Sequence, residues 1–134
     1  MADTGNGATF TRSGFTVDIV AIVVGEQRID LLDKSLLSST GFMKKMAADL
    51  ADAGTFTIEY LYDGTDASIT LGGAAVSSVI TWPLASGETT AANLTGTAIC
   101  VAKKFPDFRN NELQSSSAEF AWDGATGPTL TVAT

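Results

Sequence analysis

Four acidic residues, Asp49, Asp52, Asp63 and Asp66, come nearest to a chemical constellation in this chain. Paired carboxylates can divide acid and base work between them, and Asp63-Gly64-Thr65-Asp66 has the opening of a calcium loop. The acidic ligand that such a loop needs further on is replaced by Leu71-Gly72-Gly73-Ala74-Ala75, so the DGTD stretch reads as turn chemistry. Nothing around these carboxylates marks a cleft, and they read as solvated groups. The chain has no His and a single Cys, which excludes a Ser-His-Asp triad, a Cys-His pair, a zinc finger and an internal disulfide. Cys100 follows Ala98 and Ile99 in an apolar run and reads as a small buried hydrophobe. Gly72-Gly73 lacks the basic anchor of a phosphate cradle. Asn93-Leu94-Thr95 fits a glycosylation acceptor, which matters only on a secretory route. The basic doublets Lys44-Lys45 and Lys103-Lys104 are too small for a nucleic-acid patch and suit pairing with acidic neighbours. By elimination the residues favour a binding or structural role, with no catalytic, cofactor or metal site.

The elements that carry these residues are strands. Thr, Val and Ile make up about a quarter of the 134 residues, and branched side chains fit a pleated surface better than a helix. Punctuated by Gly, Asp and Asn, the expected strands are Thr9 to Arg12, Phe15 to Val24, Arg28 to Leu32, Thr55 to Tyr62, Val76 to Leu84, Leu94 to Phe105, Ser115 to Trp122 and Thr129 to Ala133. Phe56, Ile58, Tyr60 and Tyr62 alternate with Thr55, Thr57, Glu59 and Leu61, so the aromatic face packs inward. Ala118, Phe120 and Trp122 alternate in the same way. The last two strands are expected to form a hairpin through Asp123, Gly124, Gly127 and Pro128.

Two stretches depart from strand patterning. Phe42, Met43, Met46, Ala47, Leu50 and Ala51 recur at helical spacing before Gly54, which draws an amphipathic helix over 42–53. Residues 63–75 are a loop or a poor helix. Leu31, Leu32, Leu36 and Leu37 sit in a segment too apolar for a solvated loop, buried either by a partner or under their own domain. The chain is one domain of residues 1–134, with 1–8 as a possible flexible arm. The formal charge of -7 leaves no basic surface for binding phosphates. The first residues, MADTGNGATFTRSG, have neither a basic nor an apolar run, and no later stretch reaches about 20 apolar residues, so neither a secretion signal nor a membrane span is expected.

The order of segments resembles the major tail tube proteins of long non-contractile tailed bacteriophages and related gene transfer agents. The likeness rests on Ser39-Thr40-Gly41, Ala53 to Asp63 (AGTFTIEYLYD), Ile80 to Leu84 (ITWPL), Thr89 to Ala98 (TTAANLTGTA) and Asn111 to Phe120 (NELQSSSAEF). It implies a mainly β subunit, a β-sandwich or barrel-like fold with at most one short helix. Six copies would close a ring by pairing sheets across subunit boundaries. Stacked rings would make a tube around a tape measure protein, with tail terminator and baseplate or distal tail proteins at its ends and DNA only as transiting cargo. The protein would reside in the virion tail, assembled in the host cytoplasm, with no membrane and no cofactor.

The resemblance also implies sites. Residues 32–54 become an inter-ring or inter-subunit region, with contacts from Leu32, Leu36, Leu37, Ser39, Thr40, Gly41 and Phe42. It moves Phe42 to Met46 towards strand and leaves Ala47 to Ala53 as a short helix or loop. Asp18, Glu59 and Glu119 become lumen-facing acids that repel passing phosphates. The alternatives are a capsid-decorating or immunoglobulin-like β-sandwich binding module, and the inner tube protein of a contractile injection system.

Overall fold

A computed structural model describes residues 7–13, 15, 18–33, 41, 45–61 and 70–134. The strands are β1 (Thr9–Arg12), β2 (Ile19–Val24), β3 (Arg28–Asp33), β4 (Lys45–Asp52), β5 (Thr55–Leu61), β6 (Val76–Thr81), β7 (Asn93–Lys104), β8 (Ser115–Trp122) and β9 (Thr129–Thr131). Among the described residues there is no helix. The fold is therefore all-β, in agreement with the composition.

Seven strands form one antiparallel sheet in the order β1-β6-β7-β8-β5-β2, with β9 on β7, and β3 and β4 form a separate pair. The core shows how strongly the large sheet curls. β1 and β5 are four strands apart, about 19 Å along a flat sheet, yet the Phe10 and Phe56 rings lie 5.6 Å apart. The sheet rolls into a half-barrel around Phe10, Phe15, Phe56, Ile58, Tyr60, Phe120 and neighbouring side chains. Phe56 stacks on Phe120 at 5.2 Å and meets Trp122 at 4.7 Å. Strand alternation produces this cluster directly, because Phe56, Ile58 and Tyr60 all face inward. Tyr62 lies outside the described residues.

Arg12 shares the inner face of β1 with Phe10 and is 8% exposed. Its guanidinium donates to Ser78 Oγ and to the Ala98 carbonyl, each at 3.0 Å, and lies 4.8 Å from the Phe120 ring centre. Burial lowers the Arg12 pKa, but the group stays charged because arginine does not deprotonate in proteins. The hydrogen bonds and the ring face replace the water that the cation gives up.

Two expectations need correction. The helix drawn over 42–53 is strand β4 from Lys45 onward, paired antiparallel with β3 through Leu32 and Met46, Leu31 and Ala47, and Ile29 and Ala51. In this alanine-rich stretch both periods fit the apolar positions, and cross-strand pairing overrides helix propensity. The alternative helix position at 63–75 is also not seen where it is described, since 70–75 hold turns and irregular chain. The second correction concerns the C-terminus, where β9 pairs with β7 and not with β8. β8 ends opposite Ala98 and β9 continues alongside Thr95 to Asn93, so 123–128 is an insertion between two collinear stretches. Gly96 of β7 permits it, because a Cβ there would lie 3.1 Å from the Pro128 Cα and 3.0 Å from the Trp122 ring.

Candidate interaction surfaces

Three surfaces remain after the core is accounted for, and none resembles a catalytic cleft. The first is the β3–β4 hairpin. Among the described residues its strands pair only with each other, and every residue of β3 is exposed. Leu32 and Met46 face each other on one side of this ribbon, and Ile29 and Leu31 stand opposite Ala51 and Ala47 on the other. Apolar side chains thus occupy both faces, with Leu31 at 62% and Leu50 at 86% exposure. A glycine neck joins hairpin and body. The Gly25 N–H donates to the Thr55 carbonyl at 2.7 Å, and Gly54 adopts a φ of +89°. A Cβ on Gly54 would sit 2.6 Å from the Glu26 carbonyl oxygen, so the two chains cross where only glycine fits.

The second surface is the seam of the half-barrel. β1 pairs only with β6 and β2 only with β5 among the described strands, so both end strands keep a free edge. Directly after β1 the chain turns, and the Phe15 N–H donates to the Arg12 carbonyl at 3.0 Å. A cleft of about 510 Å³ lies between β2 and the end of β6, walled by Ile19, Ala21 and Ile22 on one side and by Ile80 and Trp82, with Ala8 just before β1, on the other. A second hollow of about 380 Å³ shares Val24 and Trp82 with the first and reaches Leu94, Trp122 and Leu130.

The third surface is the convex side of the sheet. Glu59 of β5 and Glu119 of β8 both point away from the core, on adjacent strands whose register sets Glu59 opposite Ser117 and Thr57 opposite Glu119. Asp18 is exposed just before β2, and its carbonyl accepts from the Leu61 N–H at 2.9 Å. The structure therefore brings Glu59 and Glu119 together on one face and leaves Asp18 at the edge of that region.

Of the expected contact residues, Leu32 lies on β3 and half-exposed, and Gly41 is exposed with a φ of +84°. Leu36, Leu37, Ser39, Thr40 and Phe42 lie outside the described residues. Ile29, Met46 and Leu50 were not singled out as contacts by their sequence, because helical spacing assigned Met46 and Leu50 to a buried helix face. The signal was present in Arg28 to Leu32, where a strand pattern carries apolar residues on both faces. Loop 105–114 adds exposed Phe105, Phe108 and Leu113 at the other end of β7. Ion pairs Lys104–Asp107 at 3.4 Å and Arg109–Glu112 at 4.0 Å lie across it.

Cys100 is buried in the core, as its neighbours implied. Burial pushes its thiol above the ordinary range, opposed more weakly by the Ala102 backbone and by the cations Arg12 and Lys103. Among the described residues no group of His, Cys, Asp and Glu is placed to hold a metal ion.

No protein-family model matches the chain, and no characterised protein matches it in sequence. Solved structures do match its fold. The chain is similar to the tube-terminating cap of the anti-feeding prophage, with a TM-score of 0.64 and 16% identity over 92% of this chain and 85% of that one. It is also similar to the sheath/tube terminator of the PVC extracellular contractile injection system in its extended state, with a TM-score of 0.69 and 11% identity over 98% of this chain and 96% of that one. The fold is thus the one found in terminator and cap proteins of phage-like tails.

Proposed function

We propose that this chain is a structural subunit of a phage-like tail tube, with no catalytic role. The observation that carries this is the open seam: a curled sheet whose two end strands, β1 and β2, each pair on one side only among the described residues. Exposed edges invite pairing with another chain, and a closed ring satisfies them by symmetry. Six copies per ring, stacked into a tube through residues 32–54, follow the tail tube resemblance. The likeness in fold to a tube cap and a tube terminator supports a place in such a particle.

In this role the tube holds a tape measure protein during assembly and meets terminator and distal tail proteins at its ends. DNA passes through as cargo. Asp18, Glu59 and Glu119 face the lumen, where carboxylates repel phosphates over a Debye length of about 8 Å. The test is negative-stain microscopy of the purified full chain: stacked rings or tubes are expected, and a protein that stays monomeric at high concentration, even with tail extract, contradicts the proposal.

The fold likeness favours a second reading, in which the chain terminates a tube and does not build its length. In that reading the chain caps the end of a tube and does not polymerise along it. Micrographs separate the two, because only a tube protein elongates.

A further inference from the structure

We infer that loop 105–114 of one copy of this chain seats in the 380 Å³ hollow of a second copy, joining the two end to end. This rests on the tube-subunit reading and names a contact by which one ring stacks on the next.

The hollow is an apolar recess with an acidic rim. Val24, Trp82, Leu94, Trp122, Pro128 and Leu130 supply most of its wall. Three exposed carboxylates each stand one residue from the lining: Glu26 between Gly25 and Gln27, Asp52 before Ala53, and Asp123 after Trp122. Asp123 is fixed there by hydrogen bonds from the Thr97 hydroxyl at 2.6 Å and the Ala125 N–H at 3.0 Å. Arg28, 3.6 Å from Glu26, is the cation that answers them. The occupant must therefore be apolar and carry an excess of positive charge.

Loop 105–114 and its foot have both properties. Phe105, Phe108 and Leu113 are 72%, 82% and 80% exposed, while Pro106 is buried and the Lys104 carbonyl accepts from the Ser116 hydroxyl. The knob is thus anchored to the sheet with its large apolar side chains turned outward. From 103 to 114 the chain holds Lys103, Lys104 and Arg109 against Asp107 and Glu112, a cationic excess in a molecule of charge -7. The β3–β4 hairpin is the other large apolar projection among the described residues. Its strands carry Arg28 and Lys45 against Asp30, Asp33, Asp49 and Asp52, so an acidic rim repels it.

One molecule cannot make this contact with itself. β7 runs from Leu94 in the wall of the hollow to Lys104 at the foot of the loop, roughly 33 Å at strand spacing. Knob and hollow therefore lie at opposite ends of the sheet. A contact between them is heterologous, and each copy that receives a loop still offers its own, so it propagates along one axis.

The test co-expresses two full-length variants, Phe108→Cys on the loop and Leu130→Cys in the hollow, and treats them with a flexible bismaleimide. Both positions are exposed, and buried Cys100 gives the wild type an unreactive background. Circular dichroism checks folding, and Gln27→Cys in the same wall replaces Leu130→Cys if that variant unfolds. The expected result is a cross-linked dimer that forms only when both variants are present. Equal cross-linking of Phe108→Cys with itself overturns the inference, because the loops would then meet each other. A cross-link from Leu130→Cys to Leu31→Cys of the hairpin in place of Phe108→Cys overturns it as well. Rings or tubes in micrographs without the mixed cross-link also overturn it, while leaving the tube-subunit reading intact. A monomer with no cross-link overturns both.

Discussion

The half-barrel and the hairpin use the same strand chemistry and end in opposite states. In β5 and β8 every second residue enters a shared core, and Phe56, Phe120 and Trp122 stack there in contact. In β3 and β4 apolar residues are as frequent, yet they sit on both faces of a ribbon that packs on nothing among the described residues. Alternation with one polar face specifies a sheet that buries its apolar residues in its own core. Apolar residues on both faces leave a strand pair with apolar surface that its own body does not cover among the described residues, the mark of an interaction surface.

This contrast predicts unequal costs for the same truncation. Phe120→Ala should lose about 3–5 kcal/mol in urea unfolding, as fully buried aromatics do, whereas Leu50→Ala should stay within about 0.5 kcal/mol. Equal losses would mean that the hairpin packs on its own body.

The neck between the two regions gives the next largest effect. Gly54→Ala places a methyl group against the Glu26 carbonyl at a positive φ, which should cost about 1–3 kcal/mol. Hydrogen exchange should show the disturbance at 25–27 and 53–55 and leave β7 and β8 protected. A loss spread over the whole sheet would place the neck inside the body's cooperative unit.

A smaller effect comes from Cys100. Its pKa is raised in the folded state, so its contribution to stability is complete below the ordinary thiol value of about 8.5 and is lost as pH rises through the folded value. Melting temperature should therefore fall more steeply above pH 8.5 in the wild type than in Cys100→Ala. No thiol of comparable burial lies in the hairpin, so hairpin truncations should leave this slope unchanged.

Sequence reading and structure agree where a pattern has one solution. Phe56, Ile58 and Tyr60 could form an inward face only as a strand, and the core follows from that alternation. They part where two solutions fit. Met46, Ala47, Leu50 and Ala51 satisfy a helical and a strand period alike, and only the pairing with Ile29 to Leu32 decides between them. The collinear placement of β8 and β9 was equally hidden, since Asp123-Gly124 and Gly127-Pro128 look like a reversing turn until Gly96 is seen to admit the insertion. Among the surfaces, the acids Glu59 and Glu119 were legible from strand alternation. The seam was not, because it depends on how far seven strands curl.

The central claim is that the free edges and the hairpin make this chain an assembly subunit. Sedimentation velocity over a range of concentrations tests it most directly, comparing the wild type with a Leu31→Asp, Leu50→Asp double variant. The wild type should sediment as rings or larger assemblies, and the double variant as a folded monomer with an unchanged melting temperature. A wild type that remains monomeric at every concentration, or a double variant that assembles as the wild type does, would contradict it.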